Sequence, residues 1–262
     1  MRAQGKLVNG VAQLLVTLLS FGFFASGCGM DNSNTDLGVT TQAGGVPKDV
    51  VAIIRAIDAG DVSELKKLLE GGAVPTPNGS QLSPMHAAIT HFRDGQLVCN
   101  AAALKLLLDY KADPDFVDQD SGFSALEDAL AMGDIECAKQ LRRAGARLDQ
   151  HGHSGQSLLQ FAAKGAVRTG EIGILKLVLS WGVDPNVRGY AGQTALHEAV
   201  WSSNLRDGQL SAPVIAELLR SGADPCIANE RGQTALDLVT NLNSPDSVRQ
   251  LLSEASRSCP TT

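Results

Sequence analysis

The chain has 262 residues, of which 4% are aromatic and 19% charged, with 22 basic and 28 acidic side chains and a net charge of −6. An acidic balance with scattered basics argues against binding to nucleic acid or anionic headgroups by charge alone. The length allows one or two ordinary domains or an array of repeats.

At the N-terminus, Arg2 and Lys6 precede the apolar run VAQLLVTLLSFGFFA, the pattern of a secretory signal and too short and too early for a membrane span. The run ends at Ala25, Ser26, Gly27 and Cys28, which resembles the lipobox of bacterial lipoproteins. In that family small residues precede a cysteine that is acylated and becomes the new N-terminus; the departure here is Ala25, where leucine is more usual. The resemblance implies a signal peptide over residues 1–27 and lipidation of Cys28. The polar, glycine-rich, aperiodic residues 28–46 then form a flexible tether. Gly29 is not the aspartate that retains lipoproteins in the inner membrane under the family's sorting rule. The expected location is therefore the cell envelope, lipid-anchored and facing the periplasm, with the outer membrane favoured. Removing residues 1–27 takes away Arg2 and Lys6 and no acid, so the net charge moves from −6 to −8.

From Pro47 a pattern repeats. The first unit, PKDVVAIIRAIDAGDVSELKKLLEGGA, has a strong second helix and no opening motif, and so reads as a cap. Then come QLSPMHAAI from Gln81, GFSALEDAL from Gly122, GQSLLQFAA from Gly155, GQTALHEAV from Gly192 and GQTALDLV from Gly232. Their hydroxyl residues Ser83, Ser124, Ser157, Thr194 and Thr234 are spaced 41, 33, 37 and 40 apart. Each is placed as a helix N-cap, and Pro84 follows Ser83 at the first helical position, where a missing N–H costs nothing. In step with this signal, a Leu-rich second helix stops at Gly72, Gly145, Gly182 or Gly222, residues free to turn left-handed. Asp-Pro follows in three units and blocks continuation. The fold class is all-α: about six helix-turn-helix units with hairpin-like connecting loops, approximately 47–78, 79–118, 119–150, 151–188, 189–228 and 229–258.

The segments TALHEA (Thr194 to Ala199) and SPMHAA (Ser83 to Ala88) resemble the T-P-L-H-x-A motif of ankyrin repeats, and the likeness runs through residues 47–258. The resemblance implies a solenoid that presents a concave surface to another protein, with His86 and His197 registering neighbouring units by hydrogen bonds. In the family, recognition uses hairpin tips and first-helix ends. Counting from the capping hydroxyls places Asp120, Phe123, His153, Tyr190, Glu230 and Arg231 at tips, and His91, Met132, Lys164 and Trp201 at first-helix ends. Phe123 and Trp201 are also large enough to fold inward. The surplus residues of units two, four and five fall between the two helices, and two of these inserts share RDGQL, at Arg93 to Leu97 and Arg206 to Leu210.

Of the cysteines beyond Cys28, namely Cys99, Cys137, Cys226 and Cys259, none forms a C-x-x-C pair, and an oxidising compartment permits pairing without requiring it. Cys226 and Cys259 lie 33 residues apart, one repeat length, so they occupy equivalent places about 10 Å apart. That exceeds the disulfide reach of about 7 Å unless the tail bends back, and both are expected to be free.

Asp149, His151 and His153 in DQHGHSG could in principle grip a metal, yet the alternating histidines at an exposed loop tip lack a full ligand set and a second shell, so no metal is expected. No nucleophile elbow, zinc-protease motif, phosphate loop or dinucleotide fingerprint is present, and an enzyme, a cofactor and a small-molecule substrate are all disfavoured. The expected function is an envelope-tethered protein-binding module, in its sharper form an inhibitor or immunity protein against a periplasmic enzyme or toxin. The alternative is a scaffold or envelope-maintenance lipoprotein.

Overall fold

Helix starts in this chain are written by short polar side chains. The hydroxyls of Ser83, Ser124 and Ser157 accept the amides of His86, Glu127 and Gln160, at 3.2, 3.3 and 3.3 Å, and so begin three helices. Glu127 and Gln160 return the interaction by accepting the N–H of Ser124 and Ser157, at 2.7 and 2.8 Å, which completes two capping boxes. At Thr234 the same reciprocity runs through Asp237. The second helices of the first three units start differently: Asp61, Asn100 and Asp134 cap them with side-chain oxygens.

The structure, a computed structural model, describes residues 48–75, 83–93, 96–118, 121–149, 154–203, 210–241 and 244–259. The predicted signal, tether and Cys28, as well as Asp120 and His153, lie outside the described residues. Among the described residues the helices fall into six pairs in chain order. The first helices are α1 (Lys48–Asp58), α3 (Pro84–Ile89), α5 (Ala125–Met132), α7 (Leu158–Thr169), α9 (Ala195–Ser203) and α11 (Ala235–Asn241). Their partners are α2 (Val62–Glu70), α4 (Ala101–Asp109), α6 (Ile135–Arg143), α8 (Gly173–Ser180), α10 (Ser211–Arg220) and α12 (Asp246–Ala255). First helices pack on first helices and second on second, so one apolar core runs continuously between the two layers, from Ile53 to Leu252. Neighbour-to-neighbour packing of this kind is how a solenoid buries surface that a single pair cannot.

Gly72, Gly145, Gly182 and Gly222 turn left-handed after their helices, with φ of 92°, 101°, 81° and 92°. In the second unit the same turn is made by Lys111, φ 66°, at a side-chain cost the other units avoid.

Two inserts take shapes the repeat pattern does not specify. In unit two, α3 ends after six residues at Thr90, whose hydroxyl donates to the His86 carbonyl. The chain then forms a hairpin, β1 (His91–Arg93) against β2 (Gln96–Val98), with His91 opposite Val98. His91 is therefore a buried strand residue rather than a first-helix end. In unit four the surplus lengthens α7 to 12 residues. Its extra turn reaches past the end of α5, where Arg168 donates to the carbonyls of Ala131 and Met132. Gly165 makes this approach possible, since a Cβ there would stand 2.0 Å from the Leu130 carbonyl oxygen.

The cysteines pair. Cys99, leaving the hairpin, bonds to Cys137 in the first turn of α6 and ties units two and three together. Cys226 and Cys259, expected to be free, are bonded as well, with Cα atoms 5.4 Å apart. The repeat-length argument fails because the short 3₁₀ turn Ser256–Ser258 after α12 bends the tail back on its neighbour.

Candidate functional site

The predicted binding strip divides in two. Tyr190, 69% exposed in a 3₁₀ turn at the tip of unit five, and Trp201, 53% exposed in the last turn of α9, both face solvent. Glu230 and Arg231 are exposed at the next tip, and the Glu230 amide donates to the Ala191 carbonyl, which joins the two tips. Leu210, 37% exposed at the start of α10, lies against Gly170 at the end of α7. Among the described residues, three of the four exposed large apolar side chains (Tyr190, Trp201 and Leu210) thus belong to unit five. The other members turn inward. Phe123 stands edge-on to buried Phe161 at 5.4 Å, Met132 packs on the core, and Lys164 is partly buried. The strip is narrower than the count from the capping hydroxyls implies, because tip and helix-end positions of the middle units close the seams instead of facing outward.

Beneath the exposed residues, polar groups cross the first-helix layer. His86 Nδ1 donates to Asp128 Oδ2 at 2.6 Å, linking units two and three. His197, 1% exposed, accepts the Thr194 N–H at Nδ1, which leaves Nε2–H to donate to the Gln233 carbonyl at 2.9 Å across the unit five to six seam. Burial lowers the pKa of His197, so the neutral ring these bonds require is the favoured one. Both motif histidines join neighbouring units. The one feature here that the sequence reading missed is Glu198: it is 6% exposed, accepts Ser202 Oγ at 2.8 Å and Gln156 Nε2 at 3.3 Å, and faces Lys164 of α7. Its position after the motif histidine is variable in chemistry from unit to unit, so periodicity gave no signal for it.

Asp149 of the DQHGHSG segment, where no metal is expected, pairs with Arg147, at 3.0 and 3.1 Å. Among the described residues, Cys99, Asp134 and Cys137 bring ligand-type atoms within 4.8 Å of one another. Their two sulfurs are joined in the disulfide and Asp134 caps α6, so the group is structural.

The profile of the Ankyrin repeat family matches residues 191–230, the unit that holds Tyr190 at its edge and Trp201 within it. The fold is that of ankyrin-repeat proteins. The ankyrin array resembles the crystal structure of EF0377, an ankyrin repeat protein, at a TM-score of 0.63 and 26% identity over 78% of this chain and 98% of that one. An ankyrin repeat domain from Acinetobacter baumannii AYE matches with a TM-score of 0.61 and 23% identity, over 78% and 97%. A putative ankyrin repeat-containing protein of Treponema pallidum (strain Nichols) is 37% identical over 137 residues, which are 48% of this chain and 42% of the relative, less than half that protein's length. Ankyrin repeats are protein-interaction modules and typically carry no catalysis.

Proposed function

We propose that this chain is an envelope-tethered ankyrin module that captures another protein through unit five and its neighbouring tip. The observation that carries the proposal is the exposure of Tyr190 and Trp201 on one unit, since Tyr and Trp are the residue types that most often dominate binding energy. Cysteine usage supports export. Of the chain's five cysteines four are paired, which suits an oxidising compartment, and the odd one is Cys28 behind the signal-like run. Acylation of Cys28 uses up that remaining thiol and anchors the array to the membrane.

The sharper reading is an inhibitor or immunity protein whose partner is an enzyme or toxin that reaches the periplasm. Two disulfides and close-packed first helices favour it, because a surface held rigid before binding loses little entropy on association. The test is capture from detergent-solubilised envelope by the wild-type chain and by a Tyr190→Ala/Trp201→Ala variant, with melting of both recorded. A partner held by the first and lost by an equally stable second supports the reading, and equal capture by both removes it. Tethering is tested separately: Cys28→Ala should move the protein from the membrane to the soluble fraction, and a variant that stays acylated and membrane-bound contradicts the anchor.

A further inference from the structure

Glu198 is a buried carboxyl that the repeat architecture does not need. It sits on α9 one turn before Trp201, and Ser202, the residue after Trp201, donates to it. A second neutral donor, Gln156, reaches it from the chain entering α7. Charged groups lie on each element packed against α9. Lys164 and Arg168 lie on α7, and Asp128 on α5 acts on Lys164. Asp237 lies on α11, where it acts on His197, and Glu217 on α10 is already engaged by Arg220 and Lys176. Lys164 is therefore the cation whose charge bears on Glu198.

Burial raises the pKa of the Glu198 carboxyl; the Ser202 hydrogen bond and the Lys164 charge oppose this and do not cancel it. Burial likewise lowers the pKa of the Lys164 ammonium, against the pull of Glu198 and Asp128. Each group resists its own charge, and the charge of each favours the charged form of the other. A proton added to Glu198 leaves Lys164 without that counter-charge and changes the acceptor that secures Ser202, at the helix turn that displays Trp201.

We propose that Glu198 and Lys164 form a proton-responsive brace beneath the binding face, coupling protonation of Glu198 to the setting of Trp201 and so to partner capture. The inference rests on unit five being the binding face.

The experiment uses the emission of Trp201 in a Trp181→Phe background, since the chain has two tryptophans, titrated across acidic to neutral pH on the full chain. The expected result is a transition with its midpoint above the ordinary glutamate range, the direction in which burial shifts the carboxyl. Glu198→Gln, which keeps an acceptor for Ser202, should abolish it. Lys164→Met, which removes the favourable charge, should raise the midpoint further. Carboxyl-carbon NMR of the unsubstituted chain gives the same midpoint for Glu198 without dependence on any variant. A midpoint in the ordinary range by either method, or an emission transition that survives in folded Glu198→Gln, overturns the brace. Capture that depends on Trp201 yet is equal at all pH values overturns the brace and leaves the binding face standing. Loss of Trp201 dependence itself removes the face on which the brace rests.

Discussion

Gly165→Ala should destabilise the array even though helix propensity alone predicts the opposite. Alanine in place of glycine inside a helix contributes up to about 1 kcal/mol in favour of folding. At Gly165 the new methyl group would stand 2.0 Å from the Leu130 carbonyl oxygen and 3.0 Å from the Gly133 nitrogen, both main-chain atoms that no rotamer change can move. To restore even the shortest tolerated separation, α7 must withdraw from α5 by about 1 Å. That withdrawal strains the Arg168 hydrogen bonds to Ala131 and Met132 and loosens the buried contacts of Leu130 and Ala166. Overpacking of this kind costs about 1–3 kcal/mol, and weakening the Arg168 bonds adds about 1 kcal/mol. The net expectation is a loss of about 2 kcal/mol, or about 4–8 °C in melting temperature for a domain of this size. Urea unfolding measures it, with the slope unchanged if the native state stays compact. Stability equal to or above that of the parent would show that α5 and α7 do not meet backbone to backbone.

Lys111→Gly should stabilise the array by about 0.5–1 kcal/mol, because it relieves a left-handed side-chain residue at a turn where four other units use glycine; a loss of stability on denaturant titration would contradict this. Replacing Cys226 and Cys259 by serine should cost about 2–4 kcal/mol for a loop of this length, and hydrogen exchange should show α12 opening first. Intact-mass alkylation that finds free thiols at these positions in the unreduced protein would refute the bridge. For His197 the folded pKa lies below the unfolded one, so the unfolded chain takes up a proton first, and this contribution to stability is full above about pH 6.5 and is lost as pH falls through and below it. His197→Gln should flatten that part of the stability profile, and an unchanged slope between about pH 5 and 7 would show that the ring does not titrate as described.

The repeat was legible because helix ends demand particular residue types. Ser83, Ser124, Ser157, Thr194 and Thr234 mark starts, and the glycines at 72, 145, 182 and 222 mark stops, with chemistry that survives divergence of everything between. What the sequence could not display was geometry set by partners distant along the chain. The bend that brings Cys259 to Cys226 depends on the short turn Ser256–Ser258 after α12, which the repeat spacing does not announce. The hairpin after His91 and the extended α7 absorb comparable inserts in different ways, because turn conformation is decided by what each packs against. Counting offsets located Tyr190, Trp201, Glu230 and Arg231 on the surface. The same offsets put Phe123 and Met132 at positions where the facing unit covers them, and an offset carries no information about the neighbour.

The most direct test of the binding account is a calorimetric titration of the captured partner into three forms of the chain: the parent, Tyr190→Ala/Trp201→Ala, and Val74→Ala. Val74 is 56% exposed but lies in unit one, away from the strip. The account predicts that the double variant loses about 2 kcal/mol or more of binding free energy while its melting temperature barely moves, and that Val74→Ala binds like the parent. Equal loss in Val74→Ala, unchanged affinity in the double variant, or a double variant that melts several degrees lower would contradict it.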